Sequence, residues 1–140
     1  MKSTFARRIS ILLVLAMVLA MLPLGAMAAT PTTLYLKPGP WSTASAWFSA
    51  YFYVGDTNVH AEMADTDGDG VYEGTVPEGD WTNVIFLRND PSDKVADWDG
   101  VWNKTADLAL PTDGKNMYTG TGWNAGNGAW SVYVYVEPVF

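Results

Sequence analysis

The chain has 140 residues, of which 15 are acidic and eight are basic, so its formal net charge is −7. A surface of this sign repels phosphate backbones, which excludes nucleic acids as partners. Cysteine is absent and His60 is the only histidine, so the usual nucleophile–base pairs and histidine metal centres cannot be assembled. A carboxylate pair for glycoside hydrolysis needs a deep site, which short loops do not provide. We predict that the chain is not an enzyme.

The first 28 residues have the order of a secretory signal peptide. Basic residues within positions 1–8 precede an apolar run from Ile9 to Leu22, and the small-residue stretch Ala26-Met27-Ala28 follows. This order predicts export and cleavage near Ala29, with no membrane contact after the signal is removed. The remaining residues, about 110, carry five basic and 15 acidic side chains and a formal charge of −10. They are enough for one domain with a modest core.

Turn-forming stretches punctuate the rest of the chain about every 8 to 12 residues. They read KPGP, VGDTN, DTDGDG, PEGD, RNDPSD, PTDGK and NAGNG. Short runs rich in β-branched and aromatic residues lie between them, and no segment has a sustained helical period. The spacing predicts an all-β domain over residues 29–136, an antiparallel, immunoglobulin-like β-sandwich of about seven to nine strands. Residues 137–140 leave the strand pattern and are interpreted as the start of a linker.

Two predicted strands alternate between an apolar face and a face with aromatic residues. In residues 46–53, the even-numbered positions hold Ala and Phe and are expected to face the core, which leaves Trp and Tyr residues outside. In residues 130–136, the even-numbered positions hold Trp and Val and are expected inside. Aromatic side chains on an outer face are unusual unless something covers them.

The stretch ADTDGDGVYE, residues 64–73, looks like the opening of a calcium loop because three aspartates alternate before a glycine. An EF-hand loop of this register would need a carboxylate at its twelfth position, where Val76 stands, and flanking helices. We predict instead a strand-connecting turn, with positive φ at its glycines and aspartates that accept backbone N–H groups. A weak calcium site is kept as the alternative, with the ligands Asp65, Asp67 and Asp69.

The segment RNDPSDKVADWDGVWN, residues 88–103, combines aromatic and planar polar residues. Sugar rings stack their C–H faces on Trp and Tyr, and their hydroxyls bind planar polar groups. Trp98 and Trp102 are expected on one polar loop close to Arg88 and Asn103, which predicts a carbohydrate-binding site. The alternative for either tryptophan is that it closes the end of the sandwich. That structural role is favoured for four others: Trp41, Trp81, Trp123 and Trp130.

Motifs from Thr33 to Tyr133 follow a recognisable order. They are LYLKPGPW, AWFSAYFY, DTDGDGVYEGTVPEGDWTNVIFLRNDP, WDGVWNKTADL, PTDGKNMYT and GAWSVY. This order resembles the starch-binding carbohydrate-binding modules of family 26 from Gram-positive bacteria. The resemblance implies a secreted, non-catalytic β-sandwich that binds α-glucans such as starch. It also implies a location outside the cell or at its surface, beside an attached or neighbouring amylase.

The same resemblance implies a binding platform on the AWFSAYFY strand, formed by Tyr51 or Tyr53 and by an aromatic residue three positions before Met63. His60 stands at that position, where the family pattern has Trp. Lys104 stands in NKT where Gln is usual, and it supplies only a donor. The predicted carbohydrate-binding residues are therefore Trp98, Trp102, Tyr51, Tyr53, His60, Arg88 and Asn103.

A second hypothesis uses the same outer aromatic face. The chain would be a structural or adhesive module whose aromatic side chains pack against a neighbouring domain of a longer extracellular protein. The sequence separates the two hypotheses only weakly, because both need exposed Trp and Tyr residues on a sheet.

Overall fold

The computed structural model describes residues 29–124 and 127–137. The predicted signal peptide, residues 1–28, and residues 138–140 of the predicted linker lie outside the described residues. Nine strands are assigned within the described part of the chain, with one turn of 3-10 helix at Gly39–Trp41. The strands are β1 (Thr33–Lys37), β2 (Trp47–Val54), β3 (Thr57–Met63), β4 (Tyr72–Thr75), β5 (Asn83–Asn89), β6 (Val101–Lys104), β7 (Leu108–Ala109), β8 (Met117–Gly120) and β9 (Gly128–Ser131).

The strands form two packed sheets, which confirms the predicted β-sandwich. One sheet has the order β4-β1-β8-β9, and the other has the order β3-β2-β5-β6, with β7 also paired to β5. Every described strand pair is antiparallel except β1 with β8, which is parallel. The two sheets are therefore predominantly antiparallel, with one parallel pair. The immunoglobulin-like arrangement stays a prediction.

The core lies between the sheets and contains large apolar side chains from both. Leu34 and Leu36 of β1 face Phe48 and Phe52 of β2 across the sandwich, and all four are almost fully buried. Tyr118 of β8 stacks on a phenylalanine of β5, at 5.6 Å between ring centroids. Burial of each such side chain stabilises the folded state by about 1.5 to 3 kcal/mol. The inner face of the second sheet is thus packed against the first sheet, and its other face points outward.

The predicted alternation is confirmed in β2 and wrong at the C-terminus. Phe48, Ala50 and Phe52 are buried, as expected. The last strand, however, ends at Ser131, and the three valines that follow it at even positions are 62%, 72% and 77% exposed. The physical reason is the register of β8 and β9, because Ser131 pairs with the first residue of β8 and the described part of the chain has no strand beyond it. The valines therefore have no sheet to pack against.

No helix within residues 29–124 and 127–137 has the length and apolar character needed to cross a membrane.

Candidate functional site

Four aromatic residues gather on the outer face of the second sheet. Tyr51 of β2 pairs with His60 of β3 across the ladder, so both side chains lie on the same face. Their ring centroids are 4.8 Å apart, and Tyr53 continues the row at 5.6 Å from Tyr51. Trp98 completes the cluster at 4.8 Å from Tyr51 and 5.4 Å from His60. We call Tyr51, Tyr53, His60 and Trp98 the outer aromatic face.

Trp98 reaches this face because the loop 90–100 folds back over the sheet. The indole N–H of Trp47 donates to two main-chain oxygens of the loop, those of Asp90 at 2.9 Å and Asp93 at 2.7 Å. Gly100 closes the loop, and a Cβ at that position would lie 3.0 Å from the Asp93 side chain. Leu87 and Asn89, on the outward side of β5, are buried beneath this fold. Trp47 is therefore a positioning residue that the sequence reading did not single out.

The rings of the outer aromatic face do not lie in one plane. Tyr51 is inclined by 64° to Trp98, by 53° to His60 and by 33° to Tyr53. Trp98 is 41% exposed, while the other three are half-buried. The face is therefore an angled surface of ring faces and edges.

Polar groups border these rings. The Nδ1 atom of His60 is buried without a hydrogen-bond partner among the described residues, and burial lowers the pKa of this imidazole against a smaller opposing effect of Asp97. Burial raises the pKa of the Tyr53 hydroxyl, and its hydrogen bond with Asp107 adds to the effect. The Lys104 ammonium lies 6.0 Å from the Trp98 ring centroid. The surface therefore combines flat apolar rings with a neutral imidazole, a phenol and a cation.

The other predicted residues lie on the opposite face of the same sheet. Successive residues of a strand face opposite sides, and Arg88 shares its side with the core residues Val84 and Phe86. Arg88 is 7% exposed and pairs with Asn103 of β6, whose side-chain oxygen accepts a hydrogen bond from Nη1 at 3.0 Å. It also donates to the main-chain oxygens of Trp41 and Thr43. Arg88 is therefore a buried, hydrogen-bonded cation at the end of the core.

The prediction that Trp98 and Trp102 share one loop is wrong. Trp102 belongs to β6, and its ring centroid lies 4.9 Å from the guanidinium carbon of Arg88. The reason is an irregularity in the ladder, where Asn89 pairs with Val101 but Arg88 pairs with Asn103. The extra residue, Trp102, has no partner and is turned toward the Arg88 side. The seven predicted residues thus form two separate clusters.

Trp123, for which a structural role was favoured, belongs to the second cluster instead. It is 52% exposed, and its ring centroid lies 5.3 Å from the Arg88 guanidinium carbon. We call Arg88, Trp102, Asn103 and Trp123 the arginine cluster. Trp41 is buried and Trp81 and Trp130 pack against the core, as predicted. No signal near Trp123 in the sequence indicates its contact with Arg88, because 35 positions separate them.

The aspartate stretch is a strand-connecting turn, as predicted, and it passes from one sheet to the other. It connects β3 to β4, and Gly68 and Gly70 have φ of 72° and 85°. Asp65 accepts hydrogen bonds from the backbone N–H groups of residues 69 and 70, and Asp69 accepts one from residue 71. One carboxylate oxygen each of Asp65, Asp67 and Asp69 lies within 4.8 Å of the other two. The three side chains could hold a cation, and calcium binding here stays a prediction.

Comparison of the chain with protein-family models, with curated proteins and with solved structures finds no match. The resemblance to carbohydrate-binding modules of family 26 therefore stays a prediction, and the function has to be inferred from the two clusters of side chains.

Proposed function

We propose that this protein binds α-glucan, without catalysing its cleavage, through the outer aromatic face. The observation that supports this most directly is the contact of Trp98 with both Tyr51 and His60 on one side of the sheet. Pyranose rings present flat C–H patches that match aromatic faces. Tyr51, Tyr53 and His60 lie on strands, and the hydrogen bonds of Trp47 hold the loop of Trp98, which lowers the ordering cost of binding. The remaining polar groups can bind the sugar hydroxyls.

The angles between the rings favour an α-linked chain over a β-linked one. A β-1,4-glucan is a flat ribbon and stacks best on coplanar rings, whereas an α-1,4-glucan curves. Here the two rings in closest contact with Tyr51 are inclined to it by 53° and 64°. A curved chain can contact successive rings of this surface, while a flat ribbon meets only one of them well.

The polar border fits the same ligand. Tyr53 and Lys104 flank the rings with a phenol and an ammonium donor, and His60 adds a neutral imidazole. Glucose units carry hydroxyls but no charge, so a site for them needs hydrogen-bonding groups rather than a strong counter-charge. We expect a dissociation constant on the order of 10 μM to 1 mM, which corresponds to about 4 to 7 kcal/mol. Two stacked rings contribute ~1 to 2 kcal/mol each, and hydrogen bonds to the sugar hydroxyls contribute the rest.

Calorimetry with maltoheptaose and with cellohexaose tests the proposal. We expect binding to the first and much weaker binding to the second. Trp98→Ala should weaken binding of maltoheptaose about tenfold, a loss of ~1.4 kcal/mol. Val134→Ala is the control, because this side chain is 72% exposed and outside both clusters. The α-glucan proposal would be wrong if the protein bound both sugars equally or bound neither of them.

We also propose that the protein works outside a Gram-positive cell, beside an amylase that it brings to starch. This part rests on the charge, apolar run and small-residue order of residues 1–28 and on the glucan site itself. Amino-terminal sequencing of the exported protein should begin near Ala29. Recovery of the uncleaved chain inside the cell would contradict export.

A structural or adhesive role is the second candidate, and one observation favours it. The segment after β9 exposes Val132, Val134 and Val136 together with Tyr135, although apolar side chains of this kind usually pack. A neighbouring domain of a longer protein would cover them. A pull-down on insoluble starch separates the candidates. Retention that soluble maltooligosaccharide abolishes favours glucan binding, and no retention on any polysaccharide favours the structural role.

A further inference from the structure

The indole N–H of Trp41 is a buried donor without an acceptor. The side chain is only 5% exposed, and its Nε1 has no hydrogen-bond partner among the described residues. More than nine in ten buried polar groups are paired in folded proteins, so an unpaired one requires an explanation. Trp41 lines a small cavity of about 10 Å³ together with Gly122, Asn124 and Asn127. This volume suits about one water molecule or one hydroxyl group.

The arginine cluster lies next to this cavity. Trp41 joins the two, because its side chain lines the cavity while its main-chain oxygen accepts a hydrogen bond from Arg88 Nε at 2.8 Å. Trp123 stands in the same short loop as Gly122 and Asn124. The cavity and the arginine cluster are therefore neighbours that share Trp41 and the loop that carries Trp123.

Arg88 holds those two rings in place. Its guanidinium carbon lies 4.9 Å from the ring centroid of Trp102 and 5.3 Å from that of Trp123, and its nitrogens are fixed by hydrogen bonds to Thr43 and Asn103. Stacked cation–aromatic contacts of this kind contribute roughly 0.5 to 2 kcal/mol each. The rings nevertheless remain 43% and 52% exposed. They are pre-oriented for a ligand, which reduces the entropy that binding would otherwise cost.

We propose that the arginine cluster and the Trp41 cavity form a second carbohydrate-binding site, independent of the outer aromatic face. A pyranose ring stacks on the exposed side of Trp123 or Trp102, and one of its hydroxyl oxygens accepts the hydrogen bond that Trp41 Nε1 offers. Asn124 and Asn127 supply planar amides at the same place. The choice of α-glucan as the ligand rests on the proposed function, whereas the existence of the site does not.

A carbohydrate fits this surface better than a protein partner does. Its exposed groups are indole rings and asparagine amides, and no exposed aliphatic side chain belongs to the arginine cluster. A protein interface of standard size needs about 800 Å² on each partner, whereas a few sugar units need only the two rings and the amides. An unpaired donor on a side chain that lines a hydroxyl-sized cavity suits a polyol.

Two sites on opposite faces of one sheet would make the protein bivalent. Tyr51 and His60 face away from the core, while Arg88 shares its side with core residues. One glucan chain cannot lie on both faces over a short span, so the protein would join two chains or two segments of a granule surface. Simultaneous engagement raises apparent affinity for insoluble starch far above that for a short soluble sugar.

The indole N–H resonances of the seven tryptophans test this inference directly. In nitrogen-15-labelled protein titrated with maltotriose, we expect the Trp98 signal to follow one binding curve. The signals of Trp41, Trp102 and Trp123 should follow a second curve. Trp98→Ala should abolish the binding curve of the outer aromatic face and leave the curve of the second site. Trp123→Ala should abolish the curve of the second site and leave that of the outer aromatic face. Calorimetric stoichiometry should fall from two sugars to one in either variant.

The two proposals fail in different ways. If Trp98 shifts to saturation while Trp41 and Trp123 do not move, the second site is wrong and the outer face stands. If Trp41 and Trp123 move while Trp98 does not, the second site stands and the outer face is wrong. Val134→Ala should leave both curves unchanged, and a stoichiometry of one in the unaltered protein would also overturn the second site.

Discussion

Arg88 donates a hydrogen bond from Nε to the main-chain oxygen of Trp41 over 2.8 Å. This contact ties β5 of one sheet to the turn between β1 and β2, across the end of the core. A cation that is 7% exposed is tolerated because its nitrogens have acceptors from three residues: Trp41, Thr43 and Asn103.

The first prediction concerns this cation. Arg88→Leu should lower the free energy of unfolding by about 2 to 4 kcal/mol, because it leaves several buried acceptors without a donor. Arg88→Lys should recover only part of the loss, since an ammonium cannot reproduce the planar fork of donors. Urea unfolding measures both. Lys94→Ala is the control, an exposed cation whose removal should change stability by less than about 0.5 kcal/mol. A similar loss in Arg88→Leu and Lys94→Ala would refute the role of Arg88.

The second prediction concerns Trp47, which holds the loop 90–100 through its indole N–H. Trp47→Phe should weaken maltoheptaose binding about tenfold, because Trp98 loses its fixed position, and should cost about 1 to 2 kcal/mol of stability. Trp81→Phe is the matched control. It loses a comparable bond, from Nε1 to the oxygen of Pro77 at 2.9 Å, away from the outer aromatic face.

Calorimetry and urea unfolding should therefore give different patterns for these two variants. Both should lose stability, and only Trp47→Phe should lose affinity. Unchanged affinity in Trp47→Phe would mean that the loop does not position Trp98.

The third prediction is a pH dependence at His60. Burial lowers the pKa of this imidazole from the ordinary 6.5. The unfolded chain therefore binds this proton at a higher pH than the folded protein does. The contribution of His60 to stability is complete above pH 6.5, and it is lost as the pH falls through the lower pKa of the folded protein. A glucan that covers the ring should lower the pKa further, so affinity should fall with acidification.

His60 is the only histidine, so its proton NMR titration reports the pKa without overlap. We expect a lower midpoint with saturating maltoheptaose than without it. His60→Gln should bind with an affinity that is nearly constant between about pH 7 and pH 5. A midpoint that the sugar does not move would argue against contact with His60.

The fourth prediction links Tyr133 to the aspartate turn. The Tyr133 hydroxyl donates to Asp69 Oδ2 at 3.0 Å, and this hydrogen bond is the main cause that raises the tyrosine pKa to about 12. The stabilising contribution is complete below the unfolded pKa of 10.0 and is lost as the pH rises toward about 12. Asp69→Asn should return the Tyr133 pKa toward its ordinary value, which the phenolate absorbance measures.

Asp113→Asn serves as the control for this titration, because Asp113 pairs with Lys115 on the surface and its removal leaves the Tyr133–Asp69 contact in place. It should leave the alkaline titration unchanged. The same alkaline curve for Asp69→Asn and the unaltered protein would show that the hydrogen bond does not form in solution.

The fifth prediction concerns calcium. The aspartates already accept backbone N–H groups, so we expect at most millimolar calcium affinity and glucan binding that does not need the metal. Melting temperature and maltoheptaose binding, measured in excess EDTA and then in calcium, test this. Binding that EDTA removes, calcium restores and Asp67→Ala abolishes would identify a functional metal site.

The sequence alone determined the local features of this protein. Turn residues and alternation identified an all-β chain, the inward row Phe48, Ala50 and Phe52, and a turn rather than an EF-hand at the aspartates. These features depend on near neighbours, because strand period and turn geometry are set within a few residues. Nine strands in two sheets are what such a pattern produces once the apolar rows pack together.

Which distant residues come into contact depends on the three-dimensional fold. Trp98 and Trp102 are four positions apart, yet a ladder irregularity and a folded loop send them to opposite faces of the sheet. Trp102 and Trp123 are far apart in sequence, yet the Arg88 guanidinium contacts both rings. The valines after Ser131 keep the strand pattern, but residues 29–124 and 127–137 provide no strand beside them. Register, bulges and the contacts of long side chains depend on strand partners that are distant in the chain. The alternation within one strand does not identify those partners.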